Sequence, residues 1–332
     1  LARGGGEGRR GMWRAWCRRA PPPAAVLGAA AFGAVGHLRG APRAQCEPPG
    51  ATVSIGCYNV LCPTYAVKWG EREGKGADGA SNWAVRWPAI RGILNRARWD
   101  VVCLQEVEQT DAAEIAAGLG PEYATFYFKH ERRPPDGLMI AVRTEAFDPA
   151  VEQRVLQHNG VAFARVDLVH RSSGRTVRVL TAHCRGGKAE QLAALADFAD
   201  DGAENPDLTV VTGDFNEDFH SADRTEVRCP FPDGLGRYQT LLREAGLPEL
   251  SRPPHKQAPD QSSGKGKIDY IFVRGTRGRC AVELFRDPAS RVALLASHAP
   301  CSATGQWPSD HGAEGLSVRL LAPQGKENDF AE

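Results

Sequence analysis

The chain has 332 residues, 42% of them hydrophobic and 24% charged, the composition of an ordinary globular protein. No apolar run reaches the roughly 18 residues of a membrane-spanning helix, so a membrane span is not expected. The net charge of +1 hides an asymmetry: residues 1–46 carry eight arginines against one acid, Glu7, leaving 33 basic and 39 acidic residues in the remainder. A remainder that is net negative by six excludes a surface coated with positive charge for nucleic acid; attracting phosphate there requires a local patch or a metal.

Residues 1–50 read as a segment outside the fold, disordered or targeting. From Met12 onward come Arg14, Arg18 and Arg19, then three prolines and a small apolar run from Ala24 to Gly36, with no acid between Glu7 and Glu47. Arg-rich, acid-free composition suggests organelle import, to mitochondrion or plastid; a basic stretch before a short apolar run also suits a secretory signal. A plain Ala/Gly/Pro-rich extension on a cytoplasmic protein is the third reading. The folded part is expected at 51–322, with 323–332 as a tail.

Val53 to Val60 alternates as a strand does, and Lys68 to Ser81 is Gly-rich and charged, a loop. Ser81 or Asn82 can cap a helix through Arg96 that carries Trp83, Trp87, Ile90, Ile93 and Leu94 near one face. Asp100 to Leu104 reads as a buried strand ending at Gln105-Glu106, and Asp111 to Leu119 as a short helix. Strands follow at 123–128, 137–143, 160–169 and 175–183, the last two joined by the turn Ser172-Ser173-Gly174. Lys188 to Phe198 is helical, Leu208 to Thr212 a buried strand, and a helix is placed near Gly236–Ala245. Residues 248–266 are Pro-, Ser- and Gly-rich and read as loop; Ile268–Val273, Ala281–Phe285 and Gly315–Leu321 are the last strands. Several strands adjacent in sequence exclude a strictly alternating parallel sheet and predict two mixed sheets face to face with helices outside. The nine cysteines include no Cys-x-x-Cys pair; Cys57, Cys62 and Cys103 lie in or beside apolar runs, as buried free thiols do.

Polar residues gather at the strand ends, where rigid sheets present sites. Asn59 follows Cys57-Tyr58, Glu106 follows Cys-Leu-Gln, and His183 ends Leu-Thr-Ala-His. Asp214 and Asn216 share Thr-Gly-Asp-Phe-Asn, Asp269 sits within Lys-Ile-Asp-Tyr-Ile-Phe, and Asp310 and His311 close Trp307-Pro-Ser-Asp-His. Each alone is as compatible with a turn or cap, but a carboxylate inside an apolar strand, as at Asp269, needs a partner, and His311 can serve. Together they suit hydrolysis of a phosphoester by water. Glu106 and Asp310 are candidate ligands of Mg²⁺, which takes one or two carboxylates with water and phosphate oxygens. Asp214 can accept the proton of the attacking water. Asn59, His183 and Asn216 can donate to the phosphate oxygens, while Asp269 orients His311. No residue pattern supplies a covalent nucleophile.

These clusters, in this order, resemble the endonuclease/exonuclease/phosphatase superfamily over roughly 52–322. The resemblance implies a four-layer α/β sandwich of two mixed β-sheets flanked by helices, the DNase I-like fold, with Mg²⁺ or Mn²⁺ as cofactor and the eight residues from Asn59 to His311 as active site. Cys57-Tyr-Asn-Val-Leu-Cys62 with Tyr65, Leu104-Gln-Glu-Val107, Asp136-Gly137, Asn159 and Pro308 are similar to the deadenylase branch of Ccr4-type nucleases, nocturnin and the Angel proteins. That implies a 3′–5′ exoribonuclease acting on an RNA 3′ end. A small-nucleotide phosphatase of the nocturnin kind is the alternative; a lipid phosphodiesterase and an inactive binding module are the remaining readings. Two departures bear on substrate. The segment 251–257, Ser-Arg-Pro-Pro-His-Lys-Gln, lacks the branch's base-contacting aromatic, and Cys184-Arg-Gly-Gly-Lys188 replaces its Leu-Lys, making Arg185 and Lys188 candidate substrate contacts. Residues 1–50 show no leucine-rich repeat of the kind Ccr4-type enzymes use for docking, so neither such a docking region nor an assembly is expected, and a monomer is.

Overall fold

Period-two alternation lets each strand of a sheet feed two different cores, and the two sheets here use it fully. The computed structural model describes residues 51–72, 82–131, 136–148, 152–202, 204–221, 226–241, 268–299 and 308–322. In chain order the elements are β1 (Thr52–Asn59), α1 (Pro63–Arg72), α2 (Trp83–Ala97), β2 (Val101–Glu108), α3 (Ala112–Leu119), β3 (Tyr123–Lys129), β4 (Asp136–Arg143), β5 (Glu152–His158), β6 (Val161–Val169), β7 (Thr176–His183), α4 (Ala189–Asp200), β8 (Leu208–Asp214), β9 (Asp269–Gly275), β10 (Ala281–Phe285), α5 (Pro288–Ser297) and β11 (Glu314–Leu321). One sheet runs β10-β11-β1-β2-β4-β3, the other β5-β6-β7-β8-β9. Among the described strands only β1–β2 and β7–β8 pair in parallel; every other described neighbour is antiparallel.

Val53, Ile55 and Cys57 of β1 and Val101 and Cys103 of β2 face Ala164, Val166, Val177, Val179 and Val210 of the second sheet, forming the core between the sheets. The intervening Tyr58, Val102 and Leu104 face outward onto α2, α3 and α5. Leu180, Ala182 and Val211 do the same against α4 and an aromatic group around Phe215, Phe219 and Phe272. This is the expected four-layer sandwich of two mixed sheets between helices.

Trp99, fully buried, joins the layers on the first sheet. Its ring lies over the cross-strand pair Gly56 and Gly315 of β1 and β11; a Cβ built on Gly56 would fall 1.9 Å from the indole, and one on Gly315 2.6 Å from it. The indole N–H donates to Ser290 Oγ at 2.8 Å, and Ser290 and Ser317 both donate to Asp287, the N-cap of α5.

Two expectations need correction, and two elements are additional. Lys68–Ser81 is not loop throughout, because α1 continues to Arg72 and only 73–81 falls outside the described residues. The first turn of α1 is held from a distance: Thr64 N donates to Glu108 at 2.7 Å, a cap that no local pattern announces. The described part of 236–245 is not helical; Gln239 instead exchanges main-chain hydrogen bonds with Val273 at 2.7 and 2.8 Å, extending the sheet. Edge strand β5 and helix α5 were not anticipated. The first is charged and weakly alternating, while the second is announced only by the capping run Asp287-Pro-Ala-Ser290. Residues 248–266 lie outside the described residues. Six cysteines, Cys57, Cys62, Cys103, Cys184, Cys229 and Cys280, are free thiols.

Gly56→Ala is expected to lower stability by about 1–3 kcal/mol, because the methyl must displace a buried indole pinned on both sides. Denaturant unfolding measures this; a midpoint equal to wild type would show that Trp99 has room to move.

Candidate active site

Strand parity brings the site together. Asn59 shares the inward face of β1 with Cys57, and Gln105 that of β2 with Cys103. His183, Asp214 and Asp269 continue the inward faces of β7, β8 and β9. The register sets Asp214 beside both His183 and Asp269, three polar residues in one row across the second sheet. Glu106 alone breaks parity: one residue after inward Gln105, it should point outward. It sits instead where the β2–β4 register shifts between Leu104 and Val107, with left-handed φ of 58°. A bulge there re-aims the side chain into the space between the sheets. Gln105, left inward, spans the gap by donating to Thr181 of β7 at 2.9 Å.

The two sheets meet chemically at Asn59. Its amide nitrogen donates to Glu106 Oε1 and to Asp214 Oδ2, both at 3.0 Å, and its carbonyl accepts from Leu61 N at 3.0 Å. The other oxygen of Glu106 takes Cys62 N at 3.0 Å. His183 Nε2 lies 3.6 Å from Asp214 Oδ2 and 3.8 Å from Glu106 Oε1. Asn216, at left-handed φ of 52°, donates from its main chain to Asp214 Oδ1 at 2.8 Å. Its amide group sits 3.2 Å from His183 Nε2.

His311 completes the centre. Its Nδ1 lies 2.8 Å from Asp269 Oδ2, and its Nε2 3.6 Å from Asp214 Oδ2 and 3.9 Å from Asp310 Oδ1. Burial opposes its charge, but Asp269, Asp214 and Asp310 outweigh it and push the pKa up to about 10; His311 is an imidazolium at neutral pH. Ser309 fixes this loop by donating to the main-chain carbonyl of Asn59 at 2.6 Å and accepting from His311 N at 3.2 Å. Behind it the buried Arg86 donates to the carbonyls of Val60, Leu61 and Pro308 at 2.7, 2.7 and 3.0 Å, tying the loop after β1 to the loop before β11.

Glu106, His183 and Asp214 offer ligand atoms within 4.8 Å of one another. The oxygen-rich set, and four carboxyl groups at the centre against one imidazolium, suit a hard divalent cation. Asp310 is on the His311 flank, outside the groups of potential ligand atoms found among the described residues. Arg185 lines a cleft of about 480 Å³ that opens beside His183 and Asn216. Lys188, exposed at the N-terminal end of α4, is not among the residues lining it. Residues 251–257 and Trp307 lie outside the described residues.

The cleft also contains residues to which sequence reasoning gave no role. Asp136, buried at the start of β4, receives the Tyr65 hydroxyl at 3.4 Å, and burial pushes its carboxyl up to about 6. His130, directly after β3, faces Asp136 at 3.8 Å. Both are polar residues at strand ends, the signal that found the others, but neither stands in a motif with a chemical reading of its own.

A model of the Endonuclease/Exonuclease/phosphatase family matches residues 58–311, and the chain belongs to that family of metal-dependent phosphoesterases. It is therefore an enzyme that hydrolyses phosphate esters. Zebrafish (Danio rerio) CCR4-NOT transcription complex subunit 6-like is 30% identical over 127 residues, 35% of this chain and 22% of that protein, so the chain matches about a fifth of that relative's length. Among solved structures, ANGEL2, a 2′,3′-cyclic phosphatase, superposes with a TM-score of 0.58 at 17% identity, covering 81% of this chain and 95% of the other. Truncated Caenorhabditis elegans TDP2 gives 0.55 at 20% identity over 81% and 97%. The human nocturnin catalytic domain gives 0.52 at 16% identity over 81% and 95%. These likenesses establish the fold. No described helix is long and apolar enough to cross a membrane.

Asp269→Asn removes the carboxylate that does most to keep His311 charged against burial. The imidazole then loses its proton at lower pH, and activity that needs its charge is lost earlier as pH rises. The expected result is a kcat at least about tenfold lower and an alkaline limb displaced toward neutrality in the pH–rate profile. An unchanged profile would leave Asp269 a purely structural residue.

Proposed function

We propose that this enzyme is a Mg²⁺-dependent 3′–5′ exoribonuclease of deadenylase type, with Mn²⁺ able to substitute, that cleaves by direct attack of water. The observation that carries the chemistry is the meeting of Glu106 and Asp214, one from each sheet, on the single amide of Asn59, flanked by His183 and the imidazolium of His311. When bound, the cation neutralises charge on the phosphate oxygens; Glu106 would hold it, with Asp310 contributing from the other flank. The side chains do the rest. Asp214 takes the proton of the attacking water, its orientation fixed through Oδ2 by the Asn59 side chain and through Oδ1 by the main-chain N–H of Asn216. His311, held by Asp269, stabilises charge as it builds on the phosphate, and His183 and Asn216 line the same oxygens; Asn59, whose two side-chain N–H bonds go to Glu106 and Asp214, holds the two acids rather than the phosphate.

Water is the nucleophile because the neighbouring thiols are unsuited. Burial, reinforced by Asp214 and Glu217, pushes Cys184 up to about 12, and burial together with Glu108 raises Cys62 further; thiols that keep their protons do not attack phosphorus. A second reading, a small-nucleotide phosphatase, draws support from the cleft of about 480 Å³ and the net negative charge beyond residue 46. Both favour a short substrate. Arg185 is the cation positioned to receive substrate phosphate in either case.

Purified protein with Mg²⁺ is expected to shorten RNA from the 3′ end. Asp214→Ala and His311→Ala should each cost at least about 100-fold in rate, and Glu106→Ala should reduce turnover to background. Near-wild-type turnover in these variants would remove the residues from the site. Oligo(A), mixed-sequence RNA and a 2′-phosphorylated dinucleotide, assayed side by side, separate the two readings. Release of mononucleotides supports the exonuclease; phosphate released from the dinucleotide alone supports the phosphatase.

A further inference from the structure

His130, 5% exposed, is a polar group in the cleft that the hydrolytic step does not use, and its ring is fixed from behind. The main-chain N–H of Ala162 donates to Nδ1 at 2.8 Å. An amide N–H can only donate, so Nδ1 carries no proton and the neutral ring holds its proton on Nε2. In that tautomer Nε2 is a donor with no lone pair left for a metal ion. A second proton on Nδ1 would confront the Ala162 N–H, and burial, aided by His183 and Arg185, holds the pKa down to about 4. His130 therefore presents one N–H to the cleft throughout the neutral range.

Opposite it stands the buried Asp136, an acceptor. The 3.8 Å between His130 Nε2 and Asp136 Oδ2 is too long for a hydrogen bond; the two face each other across a gap. His183 closes the third side, with the three side chains offering atoms that all lie within 4.8 Å of one another. Three points so spaced have a common centre no more than about 2.8 Å from each, the length of a hydrogen bond to oxygen. The gap thus suits a single oxygen that accepts from His130 and gives to Asp136. A phosphate oxygen has no proton for the carboxylate, a carbonyl has none either, and an ammonium cannot accept from the imidazole. A hydroxyl does both, as does the water molecule that a substrate hydroxyl would displace.

We infer that His130 and Asp136 form a subsite for a ribose 2′-hydroxyl, that of the nucleotide whose 3′-oxygen leaves, so that the enzyme selects ribonucleotide over deoxyribonucleotide ester bonds. The placement follows from His183, which borders the gap on one side and Asp214 and Asn216 on the other. A hydroxyl in the gap is one side chain away from the reacting phosphate, and the hydroxyl vicinal to the scissile 3′-ester has that reach. The inference rests on the phosphodiesterase reading above. A site built to hydrogen-bond a hydroxyl discriminates against analogues that lack it, because its own buried groups are then left unmade.

The test uses the full chain with Mg²⁺ and three short oligonucleotides differing only in the penultimate sugar, which carries 2′-hydroxyl, 2′-hydrogen or 2′-fluorine. Fluorine cannot donate to Asp136. Wild type is expected to prefer the hydroxyl at least tenfold in kcat/KM over both others, and His130→Phe and Asp136→Asn to bring those ratios within about threefold of one. Equal kcat/KM on all three substrates by wild type overturns the inference and leaves the phosphodiesterase reading intact; this comparison needs no variant to fold. Should none of the three be cut, that reading fails by itself. The affinities of the uncut strands then decide the subsite, at least tenfold tighter binding of the hydroxyl strand supporting it and equal binding overturning it.

Discussion

Two carboxylates cannot share a dry corner without something to hold them, and here one amide group does so. Asn59 donates to Glu106 from its own sheet and to Asp214 from the facing sheet, at 3.0 Å each. The same contact closes the end of the sandwich and, on the proposed mechanism, spaces the acids for a cation and aligns Asp214 as a base. The surrounding structure maintains it. Ser309 grips the main-chain carbonyl of Asn59, Arg86 gathers three carbonyls from the flanking loops, and Cys62 and Thr64 at the start of α1 lean on Glu106 and Glu108. A buried amide with every partner satisfied is rigid, and rigidity here costs no reorganisation during the reaction.

Most of this centre was legible in the sequence because it obeys strand parity. Asn59, His183, Asp214 and Asp269 continue inward-facing positions past the last apolar residue, so the rule that finds the core also finds the site. Glu106 was legible only through its motif. On parity alone it belongs outside, and the bulge that turns it inward is set by pairing with β4, which no local pattern shows. The same limit explains the errors. The start of α1 is capped by a carboxylate 44 residues away, and Gln239 is drawn into extended structure by Val273 rather than by its own neighbours. His130 stayed silent, and Asp136 was visible only as part of a motif without a role, because their meaning lies in a distance across the cleft and in an amide from β6.

On the proposed reading, catalysis and selection are divided between two neighbouring groups of residues. The acids and imidazoles at the sheet ends are the part common to hydrolysis of any phosphate ester. Arg185 and the His130–Asp136 pair belong to the cleft, where this chain can choose among substrates without altering the centre. His183 touches both, so a substrate seated correctly in the cleft is also seated correctly for attack.

Placing a 2′-hydroxyl beside the reacting phosphate raises a rival nucleophile, and this makes the path of oxygen the most direct test of the account. Single-turnover cleavage of a 3′-terminal diester in oxygen-18 water, followed by mass spectrometry of both products, reads it. Attack by water predicts one labelled oxygen on the phosphate of the released mononucleotide and none in the hydroxyl of the shortened strand. A shortened strand ending in an unlabelled cyclic phosphate, with an unphosphorylated nucleoside released, would contradict direct hydrolysis by water and assign the attack to the 2′-hydroxyl.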